Sequence, residues 1–271
     1  MFKGFYTAAS GMLAQQRKTE MLSNNMANST TPGFKTDQSS MRAFPELLQQ
    51  SVSKNAVGVV DKEEVGYLAT GVYMQEATPK FTQGDLNQTE LSTDLALLNV
   101  NVPGNGTNPS GGIFFTIQNA NGEIAYSRNG NFTLDGQGYL TTASGLRVLN
   151  ENNEPIQLTS TDFSVTSDGV ITGSNGEAYR LGISYTDTPE QLSKEGDGLY
   201  RAQDGAELPS AYANNEVNFQ IKQGFLENSN VDTAQTMTDM MTAYRAFEAN
   251  QKMLQAYDKS MDQAANEIGK I

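Results

Sequence analysis

The chain has 271 residues, enough to bury a sizeable core in one large domain or two modest ones, and it contains no Cys, His or Trp. Lacking thiol and imidazole, it excludes a thiolate or imidazole zinc site, a Cys nucleophile, a Ser-His-Asp triad and a disulfide framework. The formal charge of −13 is carried by residues 31–230; residues 1–30 are +2, with Lys3, Arg17 and Lys18 against Glu20, and residues 231–271 are −2, with four basic and six acidic groups, so nucleic acid and anionic lipid are poor partners.

The opening MFKGFYTAASGMLAQQRK places a cation before mildly apolar residues, but Thr7 and Ser10 interrupt the stretch. Gln15, Gln16, Arg17 and Lys18 then follow where a small-residue cleavage site belongs, and no cleaved signal peptide is expected. Residues 3–27 are predicted to be a helix, rich in Ala, Met, Leu, Gln and Lys and free of Pro. Gly11 weakens it by about 1 kcal/mol relative to Ala, so packing must help. Phe5, Ala9, Met12, Thr19, Leu22 and Met26 fall near one face. The run Asn28 to Gly33 ends the helix, with Pro32-Gly33 suiting a type II turn.

Residues 34–80 are read as an extended or hairpin-like connector, with β-like alternation around Val57–Val60 and Tyr67–Met74. From Phe81 to about Ile221, turn signals come thickly. Asn121-Gly122, Asn129-Gly130, Asp135-Gly136, Ser144-Gly145, Asp168-Gly169 and Asn175-Gly176 separate short apolar runs such as Ile113–Ile117. This spacing predicts a mainly antiparallel β domain over 81–221, with a flexible loop at 99–112.

After Asn228-Ser229-Asn230 a last helix is predicted, with Asn230 as N-cap and Asp232 in the first turn. From Met237, an apolar seam recurs at steps of three and four through Met240, Tyr244, Phe247, Leu254, Met261, Ala265 and Ile268, interrupted at Gln251 and Asp258. This is a heptad, which winds one stripe against a partner helix. Either the two ends pair with each other in a coiled-coil-like manner, or each packs on its own domain. Gln251 and Asp258 either fix register or face water. Nine of the eleven Met residues lie in the two terminal segments, where a pliable side chain tolerates non-identical neighbours or simply fills helical core.

Sites for chemistry are weak. Asp85, Asn87 and Thr89 lack the Gly at position six and the Glu at position twelve of a calcium loop. Gly104–Gly112 is followed by no Gly-Lys-Ser/Thr, so it is no phosphate loop. No metal, cofactor or catalytic residue is expected. No apolar run approaches the roughly twenty residues needed to span a bilayer, so no membrane insertion is expected.

Three stretches together resemble the axial proteins of the bacterial flagellum, the rod and hook proteins. The first runs from Leu22 to Lys35 and includes Asn25, Ala27, Asn28, Thr31, Pro32, Gly33 and Phe34. The second is Tyr126-Ser127-Arg128-Asn129-Gly130-Asn131-Phe132. The third is Gly224-Phe225-Leu226-Glu227-Asn228-Ser229-Asn230-Val231-Asp232, followed by Arg245 to Asn250. A shorter likeness covers Phe81 to Leu86, whereas Asn99–Ser110 reads as an insertion relative to the family. The resemblance implies an α+β protein whose segments 1–33 and 225–271 pair to line a hollow shaft, with the β domain outside. It further implies self-assembly with other rod and hook proteins, export by the flagellar type III apparatus, and a place in the basal body. Phe5, Met12, Leu22, Met26, Met240, Tyr244, Phe247, Leu254 and Met261 would supply the apolar contact area. The competing expectation is a secreted adhesin or glycan-binding β module with helical ends.

Overall fold

The computed structural model describes residues 2–54, 60–104, 111–203 and 205–268. The chain is α+β, with an N-terminal helix, a C-terminal helix and a mostly antiparallel β body. It divides into two compact units: Met1–Ala27, Asp37–Thr78 and Asp232–Ile271 form one, and Asn28–Thr36 with Pro79–Val231 forms the other.

In the first unit, α1 (Phe2–Ala27) packs on α2 (Thr233–Gln263), which ends in a π-helical turn at Ala264–Ile268. The pair is antiparallel. A β-carbon on Gly4 would strike the Tyr257 hydroxyl, and one on Gly11 would lie 3.0 Å from Asn250 Nδ2. Seven steps forward on α1 thus match seven steps back on α2. The two glycines make room for the Tyr257 ring and the Asn250 amide of α2, a use of Gly that offsets its low helix propensity.

On α2, Thr236 and Ala243 are buried, while Met240, Phe247, Asn250, Leu254, Tyr257 and Met261 are half-buried. These positions recur at alternate steps of four and three, so the heptad period is real but one of its two columns is displaced. Met237, Tyr244, Gln251, Asp258 and Ala265, expected in the seam, are exposed, and the residue just before each takes the inner place. The inner column takes the small Thr236 and Ala243, while Gly4 and Gly11 make room in it for Tyr257 and Asn250. Gln251 and Asp258 are therefore not interruptions of the α1-facing stripe. Of the α1 face expected from spacing, Leu22 is buried and Phe5, Met12 and Met26 are half-buried.

Asn25, buried at the end of α1, clasps the chain as it returns: its Nδ2 donates to Asp37 O at 2.9 Å and its Oδ1 accepts from Asp37 N at 3.0 Å. The following segment is strand-rich. Met41–Ala43 pairs with Val72–Met74, and Leu47–Lys54 pairs with Val60–Leu68 across a bulge at Gln49/Gln50. The Val72–Met74 end is tied to α1, where Ser10 Oγ accepts from Val72 N.

The second unit is built on Gly112–Gln118. This strand pairs with Ile124–Ser127 on one edge, and on the other with Arg147–Val148 and Ile183–Thr186 in succession. All these ladders are antiparallel. Its run of apolar residues, broken only by the buried Thr116, is explained by burial on both faces. Ile113, Phe115 and Ile117 enter the main core with Leu95, Phe132, Leu140, Ile156 and Leu181. Phe114 turns the other way and joins Tyr126, Leu192 and Tyr200, with the Phe81 ring 5.5 Å from Phe114 and 5.3 Å from Tyr200.

The turn chemistry read from sequence holds at Gly122, Gly145, Gly169 and Gly176, all with positive φ. It fails at two places. In the turn after Asp135 the left-handed residue is Gly138, not Gly136. Gly130 is required for space instead, because a β-carbon there would collide with the Leu95 carbonyl. The expected loop 99–112 begins later than supposed: Asn99 and Asn101 still belong to the strand Leu95–Asn101, which pairs with Asn218–Gln223. Residues 105–110 of that loop lie outside the described residues.

The corrected helix register is testable by two adjacent substitutions. Ala243→Arg, forcing a charge into the buried stripe, should weaken the helix pair by at least about 2 kcal/mol, whereas Tyr244→Arg on the exposed side should stay within about 0.5 kcal/mol. Urea unfolding followed by far-ultraviolet circular dichroism separates them, and the reverse order would restore the register expected from sequence.

Candidate functional site

The motif residues converge on one carboxylate. Glu227 ends the short strand Phe225–Glu227, held against Leu86–Gln88, and its side chain is 1% exposed. Lys35 Nζ donates to its Oε1 at 2.5 Å and Arg128 Nε donates to its Oε2 at 2.6 Å. The backbone N–H of Gly84 also donates to Oε1, at 2.9 Å. Both cations are buried too, and further donors on each go to fixed acceptors. Lys35 Nζ reaches Thr82 O at 2.8 Å, and Arg128 reaches Ile113 O, Leu97 O and Asn99 Oδ1 at 2.7, 2.9 and 3.0 Å.

The backbone around this cluster is shaped to fit it. Thr31-Pro32-Gly33-Phe34 forms the expected turn, closed by Phe34 N donating to Thr31 O, with Gly33 at φ 69°. Gly33 N donates to Glu227 O at 2.7 Å, and a β-carbon on Gly33 would lie 2.5 Å from the Arg128 carbonyl carbon. A glycine is therefore required there twice over, by angle and by space. Lys194 Nζ sits 4.4 Å over the Phe34 ring, a cation–π contact beside the same turn. On the far side of Glu227, Gly224 takes φ 75°, its N–H donating to Asp94 O and its carbonyl accepting from Thr89 and Glu90.

Asn230 is the second fastener. Its Nδ2 donates to Lys80 O and to Thr82 O, and its Oδ1 accepts from Thr36 N at 2.8 Å. This corrects its expected role as N-cap. Its amide is fully engaged, and Asp232 caps α2 instead, Oδ1 accepting from Gln235 N at 3.0 Å. Among the other motif residues, Asn28 Oδ1 accepts from Thr31 Oγ1 and Ser229 Oγ accepts from Val231 N. Asn25 and Asp232 belong to the helical unit, and Ala27 is exposed at the end of α1.

Two cations sharing one carboxylate shift the groups differently. For Glu227, burial alone would raise its carboxyl, but Arg128 and Lys35 together, with their hydrogen bonds, hold it below the usual carboxylate range. For Lys35, burial and the neighbouring Arg128 charge outweigh the attraction of Glu227 and lower it to about 8. The contrast has a plain cause: the anion has two partners, whereas each cation has half a partner and a like charge beside it. Such a cluster fixes geometry. It offers no nucleophile and no free base. Elsewhere in the β body, a polar cleft of about 460 Å³ is lined by Glu123, Tyr126, Arg201 and Glu207. There Glu123 is ion-paired to Arg201 at 2.9 Å, and hydrogen bonding to Arg201 holds its carboxyl low.

Sequence comparison gives this geometry its context. Residues 5–35 match the family described as flagella basal body rod protein, residues 110–173 the flagellar hook protein FlgE/F/G D1 domain, and residues 222–267 the flagellar basal body rod FlgEFG protein C-terminal family. The chain is 46% identical over 272 residues to the flagellar hook-basal body complex protein FlhO of Bacillus subtilis (strain 168), covering 100% of both. It is 30% identical over 280 residues to the flagellar basal-body rod protein FlgG of Borreliella burgdorferi, covering 98% of each. To FlgG of Bacillus subtilis it is 30% identical over 282 residues, covering 98% of this chain and 99% of the relative.

Glu227→Gln should destabilise the β body by about 3–5 kcal/mol, because it strands two buried cations. Adding Lys35→Met should recover part of that loss, which a double-mutant cycle in urea measures. The pH dependence has two limbs. Glu227 is lowered on folding, so its contribution is complete above its ordinary value of 4.5 and is lost as pH falls through the lower folded value. Lys35 is also lowered, from 10.5 to about 8, so between these values the unfolded chain binds the extra proton and stability rises with pH. Lys35→Met should flatten the alkaline limb and Glu227→Gln the acid limb.

Proposed function

Taking as premise that this chain belongs to the flagellar basal-body rod and hook protein family, we propose that it polymerises through its terminal helices into a hollow axial shaft that transmits torque and conducts exported subunits. It is a structural flagellar component and not an enzyme. Under this reading its neighbours are further copies of itself and other rod and hook proteins. The subunit leaves the cell by the flagellar type III export apparatus without a cleaved signal peptide, which fits its interrupted amino-terminal stretch.

The observation that carries the reading is apolar surface left over after α1 and α2 have packed on one another. Tyr6, Leu13, Met237, Met241, Tyr244 and Met253 are each at least half exposed, at 64, 56, 57, 50, 55 and 53%. Single exposed apolar residues need no explanation, but six on one helix pair form surface that association covers. Phe5, Met12, Met26, Met240, Phe247, Leu254 and Met261, half-buried within the chain, retain some area for neighbours, and Leu22 has little left. An open filament needs only that one surface of a subunit bind a different surface of the next without closing a ring. The adhesin or glycan-binding alternative gains nothing from the helical surface or from the relatives.

Replacing Met237 and Tyr244 together with Glu should leave the circular dichroism spectrum and urea midpoint nearly unchanged while abolishing sedimentable polymer. In a cell depending on this chain for its flagellum, motility should be lost. Normal assembly by the double variant would defeat the proposal.

A further inference from the structure

Within the assembly reading, on which this inference rests, five of the six exposed apolar residues of the helix pair fall into two patches that differ in place, helix and charge, and Met253 stands apart from both. Tyr6 and Leu13 lie seven residues apart on α1, on the side away from its buried Ala8, Ala14, Leu22 and Asn25. Met237, Met241 and Tyr244 lie on α2. At about 100° per residue they sit roughly a quarter to two-fifths of a turn from the stripe of Thr236 and Ala243. With the stripes facing one another in an antiparallel pair, the α1 patch points away from α2 and the α2 patch lies toward a flank of the pair, so the two face different ways.

The patches are also displaced along the pair. The register that sets Gly4 against Tyr257 and Gly11 against Asn250 places Tyr6 level with residue 255 and Leu13 level with residue 248. The α2 patch, at residues 237–244, is centred about eleven residues away, or about 16 Å at 1.5 Å per residue. Charge separates them further. Residues 1–30 are +2, and residues 231–271, with four basic and six acidic groups, are −2. Contact of α1 with a second α1, or of α2 with a second α2, brings like charges together, and contact of α1 with α2 brings unlike ones.

We infer that the Tyr6/Leu13 patch of one copy docks on the Met237/Met241/Tyr244 patch of a second copy of this chain, with Tyr6 opposite Tyr244 and Leu13 opposite Met237. The spacing agrees, since both pairs are seven residues apart and the facing helices run antiparallel when the two copies point the same way. The contact is heterologous, so it propagates, and the axial displacement of its halves staggers each copy by about 16 Å against the last. A planar closed ring is not available to such a contact. A helical row is.

The absence of native Cys makes the test clean. Leu13→Cys and Met237→Cys are prepared as separate variants of the full chain, at positions exposed enough to leave folding intact, and mixed under oxidising conditions. Disulfide-linked dimers should form in the mixture and not from either variant alone. The double variant should give a ladder of multimers, because within one copy the two positions are too far apart to bridge. Assembly seen by sedimentation and electron microscopy without the Leu13–Met237 link, or equally ready linking of Leu13→Cys to itself, overturns this contact while the assembly reading stands. A chain that stays monomeric at every concentration overturns both.

Discussion

One carboxylate shared between two cations organises the β unit of this protein. Glu227 is buried with Lys35 and Arg128, and removing the carboxylate leaves two cations without compensation in a place water does not reach. Replacing such a cluster with apolar groups often stabilises a protein, so stability alone is a poor reason for it. Its geometry suggests what it does supply. Three segments far apart in sequence, at 33–35, 82–84 and 225–230, are fixed to one another and to Arg128 by directional bonds that permit a single arrangement. An apolar cluster of the same volume could slide. The turn following α1 accordingly belongs to the β unit and not to the helix that precedes it.

The helical unit uses the opposite strategy. Its seam alternates small or polar residues, Thr236, Ala243 and Asn250, with the larger, half-buried Met240, Phe247 and Leu254, and Gly4 and Gly11 leave room for Tyr257 and Asn250. Met237, Met241 and Tyr244 stand on the flanks. The pair leaves these three side chains available to others. Reading the Met and Tyr residues as the inner seam follows the usual preference for large a and d residues. Here that preference gives the right period and one column, Met240, Phe247, Leu254 and Met261, and sets the other one residue too far along.

How much was legible therefore varied with the physics involved. Both helices, the antiparallel β body and most turn glycines follow from local signals, because period, turn angles and capping chemistry act over a few residues. The junction does not. Lys35 stands in the quoted motif, but nothing in its neighbourhood marks it as buried, since its partner is 192 residues away. Gly130 reads as a turn residue from Asn-Gly, yet its requirement comes from the carbonyl of Leu95. Asn230 has the composition of a cap, but three distant backbone groups claim its amide first. In each case a long-range contact overrides a sound local expectation.

The antiparallel register of the helices bears on timing. Gly4 rests on Tyr257, so residues 253 positions apart in the chain are neighbours. A chain made from its amino end holds α1 without its mate until nearly everything else has been synthesised, and pairing of such high sequence separation is slow. The leading segment thus stays uncommitted for as long as the polypeptide is incomplete, and the order of manufacture itself postpones the exposure of a finished adhesive surface.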